Sequence, residues 1–77
     1  MLGDKQIQYT VNGEVQTTTS KDLSVGTILT NAGFTPVSEY NLERDEGHKV
    51  YSNPDEVIPI HEGEKFTALF KGPTPTS

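Results

Sequence analysis

An Asn-Gly pair at positions 12 and 13 limits the fold of this chain more than any other local feature. Before the pair, the apolar residues Ile7, Tyr9 and Val11 alternate with polar ones, and an extended pattern continues over residues 14–19 after it. Alternation with a period of two indicates strands that bury one face. Because Asn-Gly tolerates the positive φ angles of a type I′ turn, the two segments are predicted to form an antiparallel hairpin.

The next segment changes to the period of a helix. Apolar residues recur at i, i+3, i+4 and i+7, on a stripe made of Val25, Ile28, Leu29 and Ala32. Ser24 is placed to cap this helix, and Gly33 supplies the left-handed residue that ends it. A helix of about two turns is not stable alone, so we expect a sheet to hold it.

Three further strands are predicted, around residues 40–42, 50–51 and 65–70. Pro59 argues against a central strand in its own segment. The last strand must lie beside the first to bury Phe66 and Phe70. This order predicts an α+β fold, in which one helix packs across one face of a mixed four- to five-stranded sheet.

Length and composition restrict the function. The chain has 77 residues, a formal net charge of -5 and no cysteine. This length predicts one domain, at residues 1–72, followed by a flexible Pro/Thr tail at 73–77. The acidic balance argues against nucleic-acid partners, and the lack of cysteine excludes disulfides and thiolate metal sites. Because the apolar runs are short, we expect no membrane association and a cytoplasmic location.

The sequence contains no recognisable catalytic constellation. His48 and His61 lack a second histidine at metal-ligand spacing, which favours solvated loops over a metal or general-base role. The acidic residues do not have the spacing of a calcium-binding EF-hand loop. We find no glycine-framed nucleophile and no phosphate-binding glycine loop. The expectation is therefore a protein that is not an enzyme and that holds no metal or cofactor.

Several segments together resemble a known family. They are the hairpin from Tyr9 to Gly13, the helical pairs Ile28-Leu29 and Ala32-Gly33, the strand Tyr40-Asn41-Leu42, and the run from Pro54-Asp55-Glu56-Val57 through Glu62-Gly63 to Phe66. With these segments, residues 6–72 resemble the ubiquitin-like β-grasp domains of the bacterial multiubiquitin family. The resemblance implies a protein modifier attached to amines through a C-terminal glycine, here Gly72. Its implied partners are an activating enzyme, a conjugating enzyme, a deconjugating peptidase and a target protein.

The end of the chain departs from the usual pattern of such modifiers. Gly72 is a single glycine rather than a Gly-Gly pair, and Pro73 begins a further five residues. Either processing removes residues 73–77, or the chain is not conjugated, or it is one unit of a tandem array. A sulfur carrier of the same fold would need the Gly-Gly terminus that is missing.

A non-conjugated β-grasp interaction module is the alternative hypothesis. Its protein-interaction surface is predicted to consist of Gln8, Thr10, Glu43 and Leu69, close together on the solvent face of the sheet, with Lys71 beside them as the cation of the tail. Such a polar surface would not suit receptors that bind an apolar sheet face. In either case we expect a monomer.

Overall fold

The structure is a computed structural model that describes residues 5–72. The predicted tail at 73–77, and residues 1–4 of the predicted domain, lie outside the described residues. The described chain forms one α-helix and strands β1 (Ile7–Val11), β2 (Glu14–Thr18), β3 (Asp22–Ser24), β4 (Tyr40–Arg44), β5 (Lys49–Tyr51), β6 (Val57–Pro59) and β7 (Glu64–Phe70). The helix α1 (Val25–Asn31) comes directly after β3, and short 3-10 turns lie at Val37–Glu39 and Glu46–His48.

The strands form two sheets. The large sheet has the order β2-β1-β7-β4-β5, in which β1 and β7 are parallel and the other neighbours are antiparallel. Strands β3 and β6 form a separate two-stranded antiparallel sheet. One helix packs across the mixed five-stranded sheet, which is the α+β, β-grasp-like architecture predicted from the sequence.

The predicted hairpin is confirmed. Asn12 and Gly13 have φ angles of 53° and 84°, the left-handed values that a type I′ turn requires. Val11 is paired with Glu14, so the turn contains two residues and sets the register of the whole hairpin. The second strand ends at Thr18, one residue earlier than expected, because Ser20 N–H bonds to the Thr18 hydroxyl and the chain bends there.

The predicted helix signals are also confirmed. The Ser24 Oγ accepts a hydrogen bond from the Thr27 N–H at 3.1 Å, which is an N-cap. Gly33 has a φ of 92°, as expected for the residue that ends the helix. Val25, Ile28 and Leu29 are buried, so the apolar stripe faces the sheet.

The core lies between the helix and the large sheet. Its buried apolar residues are Tyr9, Val11, Val25, Ile28, Leu29, Leu42, Tyr51, Ile58, Ile60 and Phe66. The rings of Tyr9 and Phe66 meet edge to face, with centroids 6.0 Å apart. Burial raises the pKa of Tyr9, and a hydrogen bond with the Asn31 side chain partly opposes this shift.

The prediction that Phe70 is buried is wrong. Its side chain is 56% exposed, whereas Phe66 is 2% exposed. The physical reason is the register of the parallel pair of β1 and β7, in which Phe66 is the last residue of β7 that has a partner, Val11. Phe70 lies beyond this pairing, where its ring rests against Tyr40 at 5.3 Å between centroids.

The sequence interpretation also did not include β3 and β6. Each strand has three residues, too few for an alternating pattern to be visible. Their pairing joins Asp22 to Pro59, which are far apart in the chain. Pro59 lies at the end of a strand in this small sheet and not in the large one, in agreement with the argument against a central strand.

Candidate functional site

The face of the large sheet that lies away from the helix, here called the outer face, contains most of the predicted interaction residues. Because side chains alternate along a strand, the outer-face residues of the three inner strands are those between the buried ones. They are Gln8 and Thr10 of β1, Asn41 and Glu43 of β4, and Lys65, Thr67 and Leu69 of β7. Only one of these seven is a large apolar residue, so the outer face is mainly polar over its inner strands. The flanking strands β2 and β5 add the exposed Val15 and Val50, which are paired with Thr10 and Glu43.

The outer face does not bring all the predicted residues together. Thr10 is paired with Lys65, which places Gln8 level with Gly63 in the parallel pair. Leu69 lies six positions further along β7, so at about 3.3 Å per residue it is about 20 Å from Gln8 along the strands. The prediction of one compact patch is therefore wrong for Gln8, because the parallel register displaces it toward the other end of β7.

Glu43 and Leu69 are neighbours on the outer face. Glu43 is paired with Thr67 and Asn41 with Leu69, which makes Glu43 and Leu69 diagonal neighbours on β4 and β7. Thr10 lies on the opposite side of β7 from Glu43, since β7 runs between β1 and β4. The predicted set thus forms a pair, Glu43 with Leu69, and a separate group, Thr10 with Gln8.

Hydrogen bonds hold polar groups at this surface. The Thr67 hydroxyl donates to the Asp45 carboxylate at 2.9 Å. The imidazole Nδ1 of His48 lies 3.2 Å from a Glu43 carboxylate oxygen. The His48 side chain is 83% exposed, so this contact is a surface interaction rather than a buried catalytic pair.

Lys65 and Thr67 are residues that the sequence reasoning did not include in the site. Both could have been found from the alternation of β7, because they share the side of the strand on which Leu69 lies. Their neighbours Thr10 and Glu43 are known only from the pairing of β7 with β1 and β4. The position of each residue on the face was therefore visible in the sequence, but its partners were not.

Gly72, the predicted conjugation residue, is exposed at the end of the described chain. Its φ is 83°, and a Cβ added there would meet no atom within 4 Å. The Lys71 N–H donates to the Glu39 carbonyl at 2.9 Å, so Lys71 is still attached to the residue before β4. A depression of about 240 Å³ beside it is lined by Ser38, Glu39, Phe70, Lys71 and Gly72. Lys71 therefore belongs to the folded sheet, and Gly72 is the first residue beyond this attachment.

An aromatic row supports this end of the sheet. Phe34 and Tyr40 lie with ring centroids 5.3 Å apart, and Tyr40 and Phe70 are separated by the same distance. The row leads from the loop after α1 to the last residue of β7. It keeps the exposed Phe70 in a defined position directly before Lys71 and Gly72.

The face of the sheet toward the core carries a partly buried ion pair between Glu64, whose side chain is buried, and Arg44, whose side chain is 29% exposed. The Glu64 carboxylate is bonded to the Arg44 guanidinium, and its other oxygen accepts from the His61 N–H at 3.1 Å. The hydrogen bond and the charge of Glu64 both raise the pKa of Arg44. Since these bonds join β4, the turn before β7 and β7 itself, the pair has a structural explanation.

Within residues 5–72, no cluster of three or more His, Asp or Glu side chains is arranged to hold a metal ion. No helix in the same range is long and apolar enough to cross a membrane.

Comparisons with known proteins identify no relative. No protein-family model matches the chain, and no match was found among curated proteins or solved structures. The fold and the surfaces described above are therefore the basis for a functional proposal.

Proposed function

We propose that the protein is a ubiquitin-like modifier of the bacterial multiubiquitin type, joined to amines of target proteins through Gly72 after residues 73–77 are removed. The observation that supports this best is the position of Gly72. It is the second residue after the central strand of a β-grasp-like sheet, it is exposed, and a Cβ added there would meet no atom within 4 Å. Glycine can move from its present φ to an extended conformation without a Cβ clash, as passage through a narrow enzyme channel requires.

The proposed chemistry belongs to partner enzymes. An activating enzyme joins the Gly72 carboxylate to the α-phosphate of ATP and releases pyrophosphate, and a cysteine thiolate of the enzyme then displaces AMP to form a thioester. A lysine amine of the target attacks the thioester, which yields an isopeptide bond and returns the thiol. A conjugating enzyme and a deconjugating peptidase complete the set of partners, and the cytoplasm is the proposed location. Lys71 supplies a cation beside Gly72 that can steer it toward an acidic enzyme surface.

The test uses chains that differ only at their end. The chain that ends at Gly72, the full chain and a chain that ends at Lys71 are each mixed with ATP and the activating enzyme encoded nearest to the gene. We expect pyrophosphate exchange and a thioester from the chain that ends at Gly72 alone, because residues 73–77 replace the free carboxylate by an amide. No adenylate from that chain would contradict the proposal. Mass spectrometry of the protein from its native host would show whether a chain ending at Gly72 occurs.

A non-conjugated interaction module is the second candidate, and the bond between Lys71 and Glu39 favours it. This bond leaves Gly72 as the first residue free of the sheet, a short reach for a conjugated tail. In this case the outer-face pair Glu43 and Leu69 would contact the partner. Glu43→Lys and Leu69→Glu should then weaken partner binding, while Val57→Glu, at an exposed residue of β6, should not.

A further inference from the structure

Strand β2 is an edge of the large sheet, and among residues 5–72 no strand pairs with its outer side. The hydrogen bonds of β1 show which backbone N–H and C=O groups of β2 are not bonded to β1. The Gln8 carbonyl accepts from the Gly63 N–H and the Asn12 N–H donates to the Phe66 carbonyl, so these residues point toward β7. The alternate residues of β1 must therefore bond to β2.

The hairpin register determines the outward groups of β2. The closing pair of the two-residue hairpin, Val11 with Glu14, is hydrogen-bonded, and the bonded pairs recur at every second residue. Gln16 and Thr18 are therefore also bonded to β1. The N–H and C=O groups of Val15 and Thr17 point away from the sheet.

The other strand edges carry features that discourage pairing. Strand β5 has only three residues and begins with Lys49, while β6 ends with Pro59 and β3 begins with Asp22. Short length, lysine, proline and charge are the usual means by which proteins protect an edge. Strand β2 has five regularly paired residues without lysine, proline or a bulge, and its one charged residue, Glu14, lies at the end next to the hairpin turn. It is the one strand edge of the described chain that is open to another strand.

We infer that β2 pairs with β2 of a second copy of this chain, antiparallel and centred on Gln16. In this register Val15 lies opposite Thr17 of the second copy, and Thr17 lies opposite Val15 of the second copy. Both residues of each pair have outward N–H and C=O groups, so each pair forms two hydrogen bonds. A register centred on Thr17 would need Thr19, which lies beyond the end of β2.

The side chains of β2 are complementary to themselves in this register. Glu14, the only charged residue of the strand, lies opposite Thr18 of the second copy and not opposite another Glu14. Val15 and Thr17 form β-branched cross-strand pairs, which stabilise antiparallel sheets. Gln16 meets Gln16 of the second copy, where two amides can bond to each other.

The dimer is expected to be weak, and the effect of salt should distinguish it from a complex with another protein. Two five-residue strands bury less than the roughly 1,000 Å² of a stable interface, so we expect a transient association. Each copy carries a net charge of -5, and the repulsion between the copies is screened by salt. Association of two copies should therefore strengthen as the salt concentration rises. Binding of a basic strand from another protein would weaken.

A cysteine cross-link tests the register, because the native chain has no cysteine. Gln16→Cys places two thiols in a non-hydrogen-bonded pair, in which the Cα atoms lie about 4.5 Å apart, within the range for a disulfide. Under mild oxidation we expect this variant to form a covalent dimer much faster than Val57→Cys, a control at an exposed residue away from the large sheet. Glu14→Cys should behave like the control. Equal rates for Gln16→Cys and Val57→Cys would overturn the inference.

The second measurement uses the native chain and edge variants. At concentrations near the millimolar range we expect concentration-dependent NMR shifts at the Val15 and Thr17 amides, larger in high salt. Val15→Pro removes an outward N–H that β1 does not use, and should abolish the shifts at Thr17. If Val15→Pro does not fold, Val15→Lys serves the same purpose through repulsion. Shifts that are absent, or that weaken with salt, would exclude pairing with a second copy.

Discussion

The side-chain amide oxygen of Asn12 accepts a hydrogen bond from the backbone N–H of Ala68, 2.9 Å away. Asn12 belongs to the hairpin turn, just beyond the last residue of β1. Its own N–H donates to the Phe66 carbonyl at 2.9 Å. The side chain thus continues the pairing of β1 with β7 at a point where the backbone has already turned away. One residue therefore serves both the local turn and a contact with the central strand.

Replacing Asn12 should separate these two roles. Asn12→Gly retains the left-handed turn but removes the acceptor, so the free energy of unfolding should fall by about 0.5–1.5 kcal/mol. Asn12→Asp retains an acceptor and should cost less. Urea unfolding of both variants measures the difference. Equal losses would mean that the bond to Ala68 contributes nothing to stability.

Ile28 is fully buried at the centre of the helix stripe. Ile28→Ala should lower the free energy of unfolding by about 2–5 kcal/mol, through lost apolar burial and the cavity left behind. Thr30→Ala is the matched control, because Thr30 is exposed on the same helix. Thr27 is less suitable, since its hydroxyl accepts from the Ser24 hydroxyl at 2.8 Å. Urea midpoints that shift equally for Ile28 and Thr30 would contradict the helix orientation.

Gly13 has a φ of 84° in the hairpin turn, and no atom lies within 4 Å of a Cβ added there. The cost of a side chain is therefore backbone strain rather than a clash with a neighbour. Gly13→Val should destabilise the fold by more than about 1 kcal/mol, because a β-branched residue resists this conformation. Gly13→Asn should cost clearly less, since Asn adopts left-handed angles more readily. Thermal unfolding of the two variants is the measurement.

Because the pKa of Tyr9 is raised in the folded state, we expect the protein to lose stability in alkaline solution. Burial raises this pKa in the folded state above the ordinary value of about 10. As the pH rises, the unfolded chain therefore releases the phenolic proton before the folded chain does. The stabilisation is complete below about pH 10 and is lost as the pH rises through the folded-state pKa of Tyr9. Urea midpoints should fall above about pH 10 in the native chain. Tyr9→Phe should show a shallower fall, and an identical pH profile would contradict the assignment.

Much of the fold could be predicted because its signals are local. The Asn12-Gly13 turn and the cap at Ser24 depend on backbone sterics and hydrogen bonds within a few residues. Alternation along β7 likewise placed Thr67 and Leu69 on one side of the strand. The short strands β3 and β6 could not be found in this way, because three residues contain too little pattern and their pairing depends on distant segments.

Local sequence signals were enough to specify the hairpin, the capped helix, the need for a sheet to cover that helix, and the glycine after the last strand. Only the folded chain shows which strands are neighbours in the sheet and which residues of those strands are paired. That register separates Gln8 from Leu69, exposes Phe70 and attaches Lys71 to Glu39. The physical reason is that contacts such as the one between Asn12 and Ala68, 56 positions apart, are selected by the packing of the common core and not by the residues adjacent in the chain.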